Sequence, residues 1–185
     1  DAMIRLYQIS GADRYSRSKV GGIDRFSGFT IGGFNLHPAS RGSVHLTSAD
    51  PEQDPDLNPN YLQEPEDQET AIRIMKLIRK MAGQADWCDY IVAEHRPGPE
   101  MKTDKDLLDY IKETGQTAWH TVGSCRMGSP ENSVVDRSLR VHGVDALRVA
   151  DASVLPTIPS SNTNAVAIVA GEKAADLVLE DARRN

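Results

Sequence analysis

FTIGGFNLHPASRGSVHLT, residues 29–47, is the stretch on which the fold class turns. Residues 29–36 carry the aromatic and β-branched side chains of a strand, interrupted by Gly32 and Gly33, and residues 43–47 alternate apolar with polar as a half-buried strand does. HPASRG between them reads as a turn. The expectation is a hairpin in a mostly antiparallel sheet. Upstream, residues 1–27 give little regular signal beyond the glycine-punctuated VGGIDRFSG.

Working outward, residues 48–68 hold four prolines and many carboxylates, the composition of a long surface loop whose acids follow no EF-hand spacing. EDQETAIRIMKLIRKMAG, residues 66–83, repeats apolar positions at Ile72, Met75, Leu77, Ile78 and Met81 and ends in Gly83, predicting an amphipathic helix. A second helix is predicted over residues 104–114, with Thr103 as its cap and Gly115 as its stop. Short β-like pieces follow residue 133, with 147–150 as the candidate buried strand. The final segment from Asn162 reads as a helix begun near Asn162 or Thr163. Residues 165–170 of that helix are apolar on every side, a pattern that demands burial against something. The fold class expected is α+β: a mostly antiparallel sheet flanked by helices, with a C-terminal strand–helix segment.

With 185 residues, 39% hydrophobic and 26% charged, the chain can build a good-sized core. A net charge of -6 with scattered Lys and Arg lacks the basic stripe of a nucleic-acid binder, so no nucleic-acid partner is expected. No apolar run approaches the roughly 20 residues of a membrane helix, so no transmembrane segment is expected, and the first residues do not read as a signal peptide. Cys88 and Cys125 read as two free thiols in a reducing compartment, which points to the cytoplasm. A first residue of Asp rather than Met reads as an excised piece.

AWHTVGSCRMG, residues 118–128, gathers a histidine, a serine, a cysteine and an arginine within seven positions. A serine hydrolase would need G-x-S-x-G, which is absent. A Cys–His nucleophile pair would converge from distant segments, whereas His120 and Cys125 are five apart. His37, His45, His95, His142 and Cys88 show no paired zinc spacing, so no metal is expected, and no phosphate-loop glycine pattern occurs.

The succession WHTVGSCRMG … VVDRSLRVHGVDALRVADASVLPTIPSSNTNAVAIVAGEKAADLVLE, preceded by LHPASRGSVHLTSADPEQDPDLNPNYL, resembles the C-terminal, substrate-side region of the glucose–methanol–choline (GMC) family of FAD-dependent oxidoreductases. Together the blocks cover about residues 36–181. The resemblance implies that His120 faces the flavin as a general base and that Asn162 is its partner, with Asn164 two residues on as the other candidate. It also implies that Trp119, Asp151, Ala152, Asn162 and Thr163 lie at the cofactor, with Asp151 and Ala152 on the phosphate and ribityl side. Cys125 and Ser124 become packing residues of the loop.

The implied chemistry is coherent. Hydride transfer from an alcohol requires removal of the hydroxyl proton, and neutral imidazole suits that task near neutral pH. An amide such as Asn162 can donate a hydrogen bond to the alkoxide oxygen. The resemblance further implies a substrate domain over 1–145 and a return segment over 146–185 that joins an FAD-binding domain whose Rossmann fingerprint is not in this sequence. The expected partners are a small-molecule alcohol and the N-terminal FAD domain of the same polypeptide. Alone, the chain is expected to be inactive and colourless, and to self-associate through exposed apolar surface. A hydroxynitrile (mandelonitrile) lyase of the same family and a non-catalytic binding module stay open as alternatives.

Overall fold

The computed structural model describes residues 2–8 as backbone and residues 27–184 with their side chains. They fall into two compact units, Asp1–Ala118 and Trp119–Asn185. This is a division by compactness, a different criterion from the expected assignment of 1–145 and 146–185 to domains of a longer protein.

The first unit runs β1 (Ala2–Gln8), β2 (Gly28–Gly33), β3 (Ser43–His45), β4 (Asp56–Asn58), α1 (Pro65–Ala82), α2 (Ala85–Cys88), β5 (Ile91–Arg96) and α3 (Asp104–Thr114). Its sheet has the order β2-β1-β5 and both pairings are parallel, with Ile4 opposite Phe29 and Glu94 on either side. Antiparallel pairing is confined to β3 and β4, where Ser43, Val44 and His45 face Asn58, Leu57 and Asp56. The fold is thus mixed α+β, but the expected hairpin and mostly antiparallel sheet are corrected. Residues 2–8, which give little signal in sequence, form the middle strand; VGGIDRFSG lies largely outside the described residues.

The physical reason lies in the nine residues between β2 and β3. A tight hairpin turns back within two to five residues, whereas here the chain is captured by a buried carboxylate. Asp67, in the first turn of α1, accepts from Asn35 Nδ2 (3.0 Å), Ala39 N (2.8 Å) and Ser40 N (2.7 Å). Only 3% of Asp67 is exposed, and burial pushes its carboxyl up. The hydrogen bonds from Ser40, Ala39 and Asn35 outweigh that effect and hold it below the ordinary carboxylate range.

Helix α1 begins with Pro65 in its first turn, carries Glu66 and Asp67 at its start and Arg79 and Lys80 at its end, and so suits its own macrodipole. Ala71, Met75 and Ile78 form its buried face with Leu62, Leu107 and Ile111. Phe29 and Ile31 of β2 pack on the same core, and Gly33 sits so close to Ile74 that an added Cβ would lie 2.3 Å from its Cγ2. Leu77 and Met81, expected on the apolar face, are exposed. Arg79 grips Glu94 of β5 through two bonds of 3.0 and 2.7 Å and also donates to the Met101 and Gly98 carbonyls. Helix α3 starts and stops as its sequence predicts: Thr103 and Asp106 form a reciprocal capping box and Gly115 follows the last turn.

Among the described residues the second unit holds one 3₁₀ turn (Ala152–Val154) and the long helix α4 (Thr163–Arg184). Val135, Leu139, Val154 and Ala174 are its core. The expected strand at 147–150 is replaced by one isolated bridge, Arg148 with Arg140, and Leu147 is 49% exposed. The neighbouring segment cannot extend a ladder because Asp136 Oδ1 caps the Ser138 and Arg140 amides and Gly143 takes φ +74. Arg140 and Arg148 instead converge on Asp181 of α4, whose carboxyl they hold below its ordinary range.

Candidate active site

The loop that carries His120 is fixed by backbone hydrogen bonds to the 3₁₀ turn. Gly123 N and Cys125 N both donate to Ser153 O, at 3.0 and 3.1 Å, and Met127 N donates to Val154 O at 2.8 Å. Val154 is buried, so the turn itself is anchored in the core of the second unit. Gly123 takes φ +89, where a side chain would be strained. Asp151 shapes the turn from the other side: its Oδ1 accepts from Ser153 N at 2.7 Å. The Ser153 hydroxyl and amide keep its carboxyl below the ordinary range. Asp151 is exposed, and Ala152 beside it is half-buried.

His120 is half-buried and bonds through Nδ1 to Thr163 Oγ1 at 2.9 Å, across 43 positions of sequence. Thr163 is 8% exposed and opens α4, so the imidazole is tied to the positive end of a 22-residue helix. Asn162 and Asn164 flank Thr163 and both are exposed. Trp119, immediately before the histidine, is 65% exposed and has φ +56, a left-handed conformation that costs a tryptophan roughly 1–3 kcal/mol. The structure therefore brings His120 and Thr163 into contact, puts Asn162 next to that contact in sequence, and places Asp151 and Ala152 in the turn that holds the histidine loop.

Ser124 is exposed, Cys125 is a half-buried free thiol, and the His120 ring bonds to Thr163. Among the described residues no group of three or more His, Cys, Asp and Glu side chains could hold a metal ion. Among them, too, no helix is long and apolar enough to cross a membrane. Two roles escape sequence reasoning: Thr163 as the partner of His120, and the Ser153 carbonyl as the anchor of its loop. A signal exists for the second, since D-x-S is the pattern of a side chain capping the amide two residues on.

The geometry of this unit is thus a histidine loop laced to a tight turn and bonded to the first residue of a long C-terminal helix. The pattern of the GMC oxidoreductases matches residues 38–171, and the chain belongs to that family. It is 42% identical over 149 residues to an oxygen-dependent choline dehydrogenase of Rhizobium rhizogenes, covering 80% of this chain and 27% of that protein. To an alcohol dehydrogenase (acceptor) of Pseudomonas putida it is 39% identical over 152 residues, covering 80% and 28%. The solved structure of a formate oxidase from Aspergillus oryzae superposes with a TM-score of 0.75 at 31% identity, over 80% of this chain and 26% of that one. The chain thus spans about a quarter of the length of the curated relatives it matches. The family is FAD-dependent, and the chain is homologous to members that act on CH–OH donors.

Proposed function

We propose that this chain is the substrate-side part of an FAD-dependent alcohol oxidoreductase of the choline and alcohol dehydrogenase type, with His120 as the general base. The observation that carries the reading is the 2.9 Å contact between His120 Nδ1 and Thr163 Oγ1. With the Nδ1 proton donated to the hydroxyl, Nε2 keeps its lone pair and accepts the proton of a primary or secondary alcohol. Asn162, exposed beside Thr163, donates its amide hydrogen to the oxygen as charge builds there. Bound FAD supplies the hydride acceptor, so that the alcohol loses one proton and one hydride and becomes a carbonyl.

The residues present suit that cofactor. The exposed indole of Trp119 offers an aromatic surface beside the base, and the start of α4 favours a group that gains negative charge on reduction. Trp119, Asp151, Ala152, Asn162 and Thr163 would contribute to holding it, and the larger part of the flavin site would come from the portion of the polypeptide that the longer relatives possess. Ile168 and Val169, 58% and 64% exposed on α4, are the apolar surface proposed to pack on that portion.

The test is stopped-flow flavin reduction by alcohols in the polypeptide that joins this chain to its flavin domain. His120→Ala is expected to lower the rate at least ~10²-fold while FAD content is unchanged. Near-wild-type reduction by that variant overturns the base assignment. Cyanohydrin cleavage with no flavin reduction by any alcohol overturns the oxidoreductase reading in favour of the lyase.

A further inference from the structure

We infer that Thr163 is a positioning residue that selects the tautomer of His120 and holds the base in register with Asn162. The inference rests on the proposed role of His120 and adds a residue to it. A neutral imidazole has one N–H and one lone pair, and which nitrogen keeps the lone pair depends on the bond made by the other. Here Nδ1 is committed to a hydroxyl that is 8% exposed, so Nε2 is the nitrogen left for a substrate. A hydroxyl can accept as well as donate, and only when Thr163 accepts does Nε2 hold a lone pair. That arrangement also survives the reaction: once Nε2 is protonated, the Nδ1–H bond to Oγ1 persists and becomes charge-assisted. The reverse arrangement, with the hydroxyl donating to Nδ1, leaves Nε2 protonated and unable to act as a base.

The bond has a second consequence. His120 sits on a loop pinned to the 3₁₀ turn, whereas Asn162 directly precedes α4, and Thr163 is the side chain that links the two. Thr163→Val keeps the shape and the methyl group and removes the acceptor; Thr163→Ser keeps the hydroxyl. In the flavin-loaded polypeptide, Thr163→Val is expected to slow reduction by roughly tenfold, as loss of one charge-assisted hydrogen bond would, with FAD content retained, and Thr163→Ser to restore most of it. Independently of turnover, ¹⁵N spectra of histidine-labelled protein should show His120 with its proton on Nδ1 in wild type and in Thr163→Ser, and a shifted tautomer population in Thr163→Val. An unchanged His120 spectrum in Thr163→Val, or a serine variant as slow as the valine one, overturns the inference. His120→Ala separates the two readings: if it is inactive while Thr163→Val matches wild type, the positioning role alone falls, and if it is itself active, both fall.

Discussion

The two units of this chain solve the same problem differently. In the first, α1 and α3 bury Ala71, Met75, Ile78, Leu107 and Ile111 together against the sheet, and two charged hubs, Asp67 and Arg79, fasten loops and strand to α1. In the second, four buried apolar residues form the core among the described residues, and position comes from backbone hydrogen bonds onto the 3₁₀ turn and from two arginines on Asp181. The long helix of the second unit leaves Ile168, Val169, Val178 and Leu179 exposed. Apolar burial therefore dominates where the chain needs a scaffold. Directional bonds dominate where it needs a histidine held in one place, because hydrogen bonds specify geometry whereas the hydrophobic effect does not.

That contrast can be broken most sharply in the cores. Leu107→Ala should cost about 2–5 kcal/mol in the unfolding signal of Trp87, the tryptophan of the first unit. Val135→Ala removes two carbons rather than three and should cost less in the signal of Trp119, the tryptophan of the second. Single-tryptophan variants in urea make the measurement, and a larger loss from Val135→Ala would reverse the assignment of scaffold and site.

A smaller effect is expected at the charged hub. Asp67→Asn should destabilise the first unit by roughly 1–3 kcal/mol, since the amides of Ala39 and Ser40 would keep only a weak neutral acceptor. The pH dependence follows from the lowered carboxyl of Asp67. Its contribution is fully present above the unfolded carboxylate pKa and is lost as pH falls through the lower folded value. An acid titration of the Trp87 signal should therefore flatten on the acid side in Asp67→Asn; an unchanged curve would remove Asp67 from that role. Asp181 shifts in the same direction in the second unit, but it is more exposed and its ion pairs are screened.

The smallest effect is expected on the outer face of α4. Ile168→Ser should leave the unfolding of this chain within about 0.5 kcal/mol of wild type, while lowering the flavin content of the longer polypeptide. A loss above ~1 kcal/mol in the chain alone would mean that Ile168 already has a partner within it.

The helices are the legible part of the sequence. The end of α1 and both bounds of α3 follow from Gly83, Thr103 and Gly115, because capping is settled within one turn of chain. The start of α4 at Thr163 falls on one of the two residues, Asn162 and Thr163, between which the sequence leaves it. The sheet is not: FTIGGFNL is strand-like in any sheet, and nothing local says that its partner is residues 2–8 in parallel rather than 43–47 in antiparallel. The apolar start of α4 is legible as a surface in need of a partner, but no partner is named by its own residues.

The site divides in the same way. His120 and Asn162 are the residues that the ordered sequence blocks put forward for the proposed chemistry, and the sequence by itself makes the family and the helices α1, α3 and α4 legible. Only the tertiary structure decides that the loop between β2 and β3 closes on Asp67, that the 147–150 segment makes one isolated bridge through Arg148, and that His120 Nδ1 comes within 2.9 Å of Thr163 Oγ1. The reason is range: capping and amphipathic spacing act within a few residues, whereas the Asp67 and His120 contacts join groups 27 to 43 positions apart, and strand pairing is fixed by no local preference.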